Sequence, residues 1–161
     1  MTTRKHRTEH ADDLFTPSLT QSERRLLPAG KRPWRLSSQF YVAFFGGPLA
    51  AGAIGYLNGK RLGLPRARLG AILAVGAVGF LAALSAAVVL VNAEAGRGPR
   101  LMIAVAGVAA YLAARELQKD ADQLYGLNRG EEQAYDSLWG PGLGVLFLFG
   151  FFSNAVIAGV T

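Results

Sequence analysis

The residues with the most evident coordinating chemistry are His6 and His10, four apart, with Glu9, Asp12 and Asp13 beside them. On a helix this spacing would put both imidazoles on one face, a geometry that suits a divalent cation. Residues 1–13 are polar and carry no hydrophobic periodicity, so a solvated tail is expected in place of a metal site. The chain has no cysteine, which excludes disulfides, thiolate metal centres and cysteine nucleophiles. It also lacks a Gly-x-Ser-x-Gly elbow and a phosphate loop ending in Lys-Ser or Lys-Thr. The polar side chains that remain sit in apolar surroundings: Ser85, Tyr111 and the pair Ser153-Asn154. Ser85 is expected to bond back to its own helix. Asn154 cannot satisfy its amide within one helix and should reach for a neighbour. These residues imply no catalytic group, no metal and no cofactor, so the chain is read as a non-enzyme.

The elements that carry these residues are membrane helices. Hydrophobic residues make up 51% of the chain and charged residues 17%, against roughly 25% charged in soluble domains. Four stretches hold no charged residue and no histidine: 37–58, 69–92, 101–114 and 137–161. A soluble helix must show a polar face to water, and these do not. The fold expected is all-α, a polytopic helical membrane protein with about four membrane segments near 38–57, 69–91, 101–117 and 138–160. A bilayer core needs about 20 apolar residues per helix. The third segment reaches that length only if Arg115 snorkels to the headgroups. Beyond it, Leu117, Ala121 and Leu124 lie at i, i+4 and i+7, which predicts an amphipathic extension interrupted at Gly126 and Gly130.

Residues 1–36 are read as a basic polar tail. Thr16-Pro17 and the capping box from Thr20 to Glu23 predict a short amphipathic helix on the membrane surface, with a loose linker as the alternative. Arg24, Arg25, Lys31, Arg32 and Arg35 are the expected contacts to anionic headgroups, and Trp34 stands where an interfacial aromatic anchor belongs. The net charge of +6 is therefore assigned to lipid rather than to nucleic acid. Small residues recur at four-residue spacing at Gly79, Ala83 and Ala87, at Ala106, Ala110 and Ala114, and at Gly140 and Gly144. Such stripes let helices pack closely within the chain, with a partner subunit or a second copy as the alternative use.

The first segment is broken at Gly46-Gly47-Pro48. Proline there removes a donor and leaves a carbonyl near Phe44 without its helical partner, for which Asn154 is the candidate. Gly46, Gly47, Pro48 and Asn154 thus form a packing site or a solute site. Counting Lys and Arg gives eight in the tail, four in the 58–68 loop, two in 92–100 and three in 115–137. Four full crossings give ten against seven, which scarcely orients the chain. If the first segment instead dips in and turns back at the break, the division becomes fifteen against two. A kinked crossing is the first expectation and the re-entrant form the second; either puts the 60–68 loop in the cytoplasm.

The stretch Tyr41-Val-Ala-Phe-Phe-Gly-Gly-Pro-Leu-Ala-Ala51, followed by Asn58 and Leu62-Gly63, resembles a pattern in small, uncharacterised bacterial integral membrane proteins. Leu14-Phe15-Thr16-Pro17 is similar to their usual start. The resemblance implies a multi-pass protein of the bacterial inner membrane and no activity. Function is accordingly expected to be non-catalytic, as a small scaffold or accessory subunit of a membrane complex. The alternative is a small transporter or channel that uses the broken first helix.

Overall fold

The computed structural model describes residues 31–92, 98–129 and 135–160. The tail helix, Arg24, Arg25, His6, His10 and the side chain of Asn154 lie outside the described residues. A single 3-10 turn, Leu36–Ser38, leads into α1 (Gln39–Arg61), followed by α2 (Arg66–Asn92), α3 (Gly98–Arg129) and α4 (Trp139–Val160). Among the described residues there is no strand, only an isolated parallel bridge between Trp34 and Asp136. Three stretches are long and apolar enough to cross a membrane, Leu36–Arg61, Arg66–Leu90 and Arg100–Leu127, and Trp139–Ser153 adds a shorter apolar helix. The described residues are all-helical, and their apolar helices suit a multi-pass membrane protein.

α1 is the centre of the bundle. It packs against α2, α3 and α4, and α2 packs against α3. Its apolar window is 56% buried, against 22% and 28% for the windows in α2 and α3. The helix least able to pair its own backbone is therefore the one most enclosed by protein, as the bilayer requires of irregular backbone. Two small clusters flank it. Trp34, Val42, Ala50, Ile54 and Leu138 pack on the α4 side, and Ala43, Ala51, Ala110 and Tyr111 on the α3 side.

The stripes of alanine in α2 and α3 are used as spacing predicts. Ala83, Ala87, Ala110 and Ala114 are all buried. Gly140 and Gly144 are not: a Cβ at either would meet nothing within 4 Å, so this pair joins no other described helix. α3 also runs through Gly126 to Arg129 without the expected interruption. Trp34 differs most from expectation. It is 2% exposed, a core residue rather than an interfacial anchor, whereas Trp139 at the start of α4 is 79% exposed.

Candidate functional site

Two features stand out, a backbone break in α1 and a polar lock that joins the segment before α1 to the end of that helix. At the break, Gly47 has φ 76° and ψ −169°, a conformation that residues with a Cβ rarely adopt. Pro48 follows and begins a second helical piece, so α1 consists of residues 39–46 and 48–61. A continuous helix would separate residues 34 and 58 by about 36 Å at 1.5 Å per residue. Instead the Trp34 backbone N–H donates to Asn58 Oδ1 at 2.7 Å. The two pieces must run back alongside each other for that bond to form.

The lock continues inward. Asn58 Nδ2 donates to Gln118 Oε1 at 3.0 Å, and Gln118 Nε2 donates to the Ala114 carbonyl at 3.0 Å. Both side chains are fully buried. The Trp34 N–H can only donate and the Ala114 carbonyl can only accept, so both amides have one workable orientation. Arg61 closes the arrangement from above. Its guanidinium lies 3.7 Å from the centre of the Trp34 ring, donates to the Arg32 carbonyl at 2.6 Å and pairs with Asp136 at 3.3 Å. Asp136 N–H in turn donates to the Pro33 carbonyl at 2.9 Å. The segment before α1, the end of α1, the middle of α3 and the segment before α4 are tied at one end of the bundle.

The other end of the hairpin is held by glycines from neighbouring helices. Gly107 of α3 lies so close that a Cβ there would collide with the Ala43 carbonyl, and would stand 3.0 Å from Gly47 Cα. A Cβ on Gly76 of α2 would meet Gly52 Cα at 2.9 Å and the Pro48 carbonyl at 3.0 Å. On the α4 side, Phe44, Phe45, Gly46, Arg100, Ile103, Ala104, Gly150 and Ser153 line a cavity of about 420 Å³. Ser153 is 2% exposed, and its hydroxyl has no hydrogen-bond partner among the described residues. Ser85 behaves as expected and donates to the Leu81 carbonyl at 2.9 Å.

A larger cavity of about 730 Å³ lies at the locked end, between α3 and the segment before α1. Arg35, Tyr111, Arg115, Lys119, Asp122 and Tyr135 are among its walls. Of the basic residues expected to meet headgroups, Lys31 and Arg32 are exposed beside the lock, and Arg35 lines this cavity. Gly46, Gly47 and Pro48 are buried where α1 meets its neighbours; the side chain of Asn154, expected to join them, lies outside the described residues.

No protein-family model, curated protein or solved structure matches the chain.

Gln118 is a buried member of the lock that the sequence reading does not single out. Its signal was its register: it falls four residues after Ala114 on the stripe Ala106, Ala110, Ala114, so it had to face the bundle. Asn58 likewise follows Ala50 and Ile54 at four-residue steps.

Proposed function

We propose that the chain is a non-catalytic scaffold or accessory subunit of a bacterial inner membrane complex, built around a first segment that enters and leaves the bilayer on one face. The observation that carries this reading is the hydrogen bond from Trp34 to Asn58. Leu36–Arg61 has the length to cross a membrane only if it is straight. With its ends joined, the longer piece, 48–61, reaches about 21 Å, short of a core about 30 Å thick. α2, α3 and α4 then cross, and the tail, the 62–65 loop and the 130–138 loop share one side. That side carries fifteen of the 17 Lys and Arg, and the other has Arg97 and Arg100. A basic excess of this size orients short loops toward the cytoplasm. The break itself supports a structural role, since Gly76 and Gly107 fill the space against it. The bacterial compartment is proposed from the resemblance carried by Phe44-x-Gly46-Gly47-Pro48-Leu49-Ala50, Asn58 and Leu62-Gly63.

The arrangement is tested with single cysteines in the cysteine-free chain. Leu64 is a poor position because it is 7% exposed and packs on Ile72 and Ala114. Ser37 and Ala67 are exposed. Ser37→Cys and Ala67→Cys should both resist an impermeant thiol reagent in intact cells and react after permeabilisation, while Ala95→Cys should react at once. Labelling of Ser37→Cys and Ala67→Cys from opposite sides would refute the re-entrant arrangement. The scaffold role expects a stoichiometric complex in mild detergent; a chain that runs as a lone monomer there would count against it.

The cavity below Gly46 favours transport as a second reading, because a buried hydroxyl without a partner is unfavourable unless something meets it. Ser153→Val separates the two. As a structural position it should be neutral or stabilising by about 1 kcal/mol in thermal unfolding. Loss of solute flux from proteoliposomes at an unchanged midpoint would instead establish transport.

A further inference from the structure

We propose that the cavity at the locked end is a specific site for the headgroup of an anionic glycerophospholipid. The inference rests on the reading that this end lies at the cytoplasmic interface. Among the described residues, Arg35, Arg115 and Lys119 line the cavity together with one carboxylate, Asp122. Asp122 takes a hydrogen bond from the Tyr135 hydroxyl and lies near Arg115, while its Oδ1 has no hydrogen-bond partner among the described residues. Lys119 has an exposed ion pair to Glu116 at 3.8 Å, a contact worth little in water and readily exchanged for a phosphate. Guanidinium groups bind phosphate oxygens in a two-pronged fork, and two such groups meet here from different elements, one before α1 and one on α3. The volume, about 730 Å³, lies in the range of roughly 300–1,000 Å³ that holds a small organic molecule, well beyond what a bare phosphate fills.

An apolar path leads from this cavity into the bilayer. Tyr111 lines the cavity, and its ring meets Phe40 edge-on at 5.8 Å. Phe40 stacks on Phe44 at 6.0 Å, and Phe44 meets Phe45 at 5.1 Å. Phe44 and Phe45 are 43% and 63% exposed. A row of exposed rings that starts at a basic cavity and runs along residues 40–45 matches a lipid, with its phosphate at the arginines and its chains over the aromatics. The cations alone would fit a free anion; the continuous aromatic row commits the site to lipid.

The experiment uses the purified full chain in detergent and its thermal unfolding midpoint. Dioctanoyl phosphatidylglycerol should raise the midpoint, whereas equal concentrations of dioctanoyl phosphatidylcholine or inorganic phosphate should not. Arg115→Gln and Lys119→Gln should each weaken the apparent affinity roughly fivefold, the effect of about one interfacial cation. Arg68→Gln, whose residue pairs with Asp120 at 4.0 Å outside the cavity, should bind as the parent chain does. Native mass spectrometry of the unaltered chain should find one anionic phospholipid retained, a result independent of how the variants fold. Equal stabilisation by phosphatidylcholine, equal stabilisation by inorganic phosphate, or an equal loss in Arg68→Gln would each overturn the proposal. None of these outcomes bears on the cysteine labelling, so the site can fail while the re-entrant arrangement stands.

Discussion

Replacing Gly107 by alanine is expected to destabilise the chain more than any other single methyl group added to it. The new Cβ would overlap the Ala43 carbonyl oxygen and press on Gly47 Cα and the Gly47 carbonyl carbon at 3.0 and 3.1 Å. All three are backbone atoms at the point where α1 turns, so no side chain can swing aside to make room. Overpacking a rigid site costs about 1–3 kcal/mol, and a collision with backbone alone places Gly107→Ala at the top of that range. The relief available is for α3 to move off α1, which would also expose the carbonyl that residues 39–46 leave unpaired before Pro48. Gly70→Ala is the control. Nothing lies within 4 Å of a Cβ there, and alanine in a helix interior is favoured over glycine by up to about 1 kcal/mol. Thermal unfolding in mild detergent should therefore show a large loss for Gly107→Ala and none for Gly70→Ala. Equal midpoints for the two variants would mean that α3 does not close on the break.

Asn58→Leu should show the second large effect. Leucine fits the volume but offers nothing to the Trp34 N–H or to Gln118 Oε1, and Asn58 and Gln118 are both fully buried. A buried donor or acceptor left alone costs about 1–3 kcal/mol, and this change strands one of each, so a loss of roughly 3 kcal/mol is expected. Gln118→Leu strands the Asn58 amide and should cost less. The double variant leaves only the Trp34 N–H without its bond, so its loss should fall well below the sum of the two. Additive losses would show that the two amides are not one unit. Asn58→Leu should also loosen the segment before α1, because the Trp34 N–H bond and the Arg61 ring contact hold it there. Faster proteolysis within residues 31–38 would report this directly.

These two sites also mark how far the sequence reaches. Composition alone determined the solvent: four uncharged stretches in a chain that is 51% hydrophobic have no soluble solution that buries them. The four-residue spacing of alanines in α2 and α3 determined which faces of those helices turn inward, because small residues at that period let backbones approach. Gly46-Gly47-Pro48 determined where α1 must break, since proline cannot accept a helical turn before it. The direction of the chain after the break was not legible, because a glycine permits either a kink or a reversal at similar local energy.

That choice belongs to contacts far apart in sequence. Trp34 meets Asn58 across 24 residues and Asn58 meets Gln118 across 60, and no local pattern encodes either pairing. The same physics moved Trp34 from the interface to the core: once Val42, Ala50, Ile54 and Leu138 enclose it, burial of its ring outweighs the headgroup preference of an isolated tryptophan. The basic residues followed suit. The sequence placed Arg35 and Arg115 in two separate charge counts, and the reversal of α1 brought them to one cavity, because only a folded bundle makes a site from charges that lie 80 residues apart.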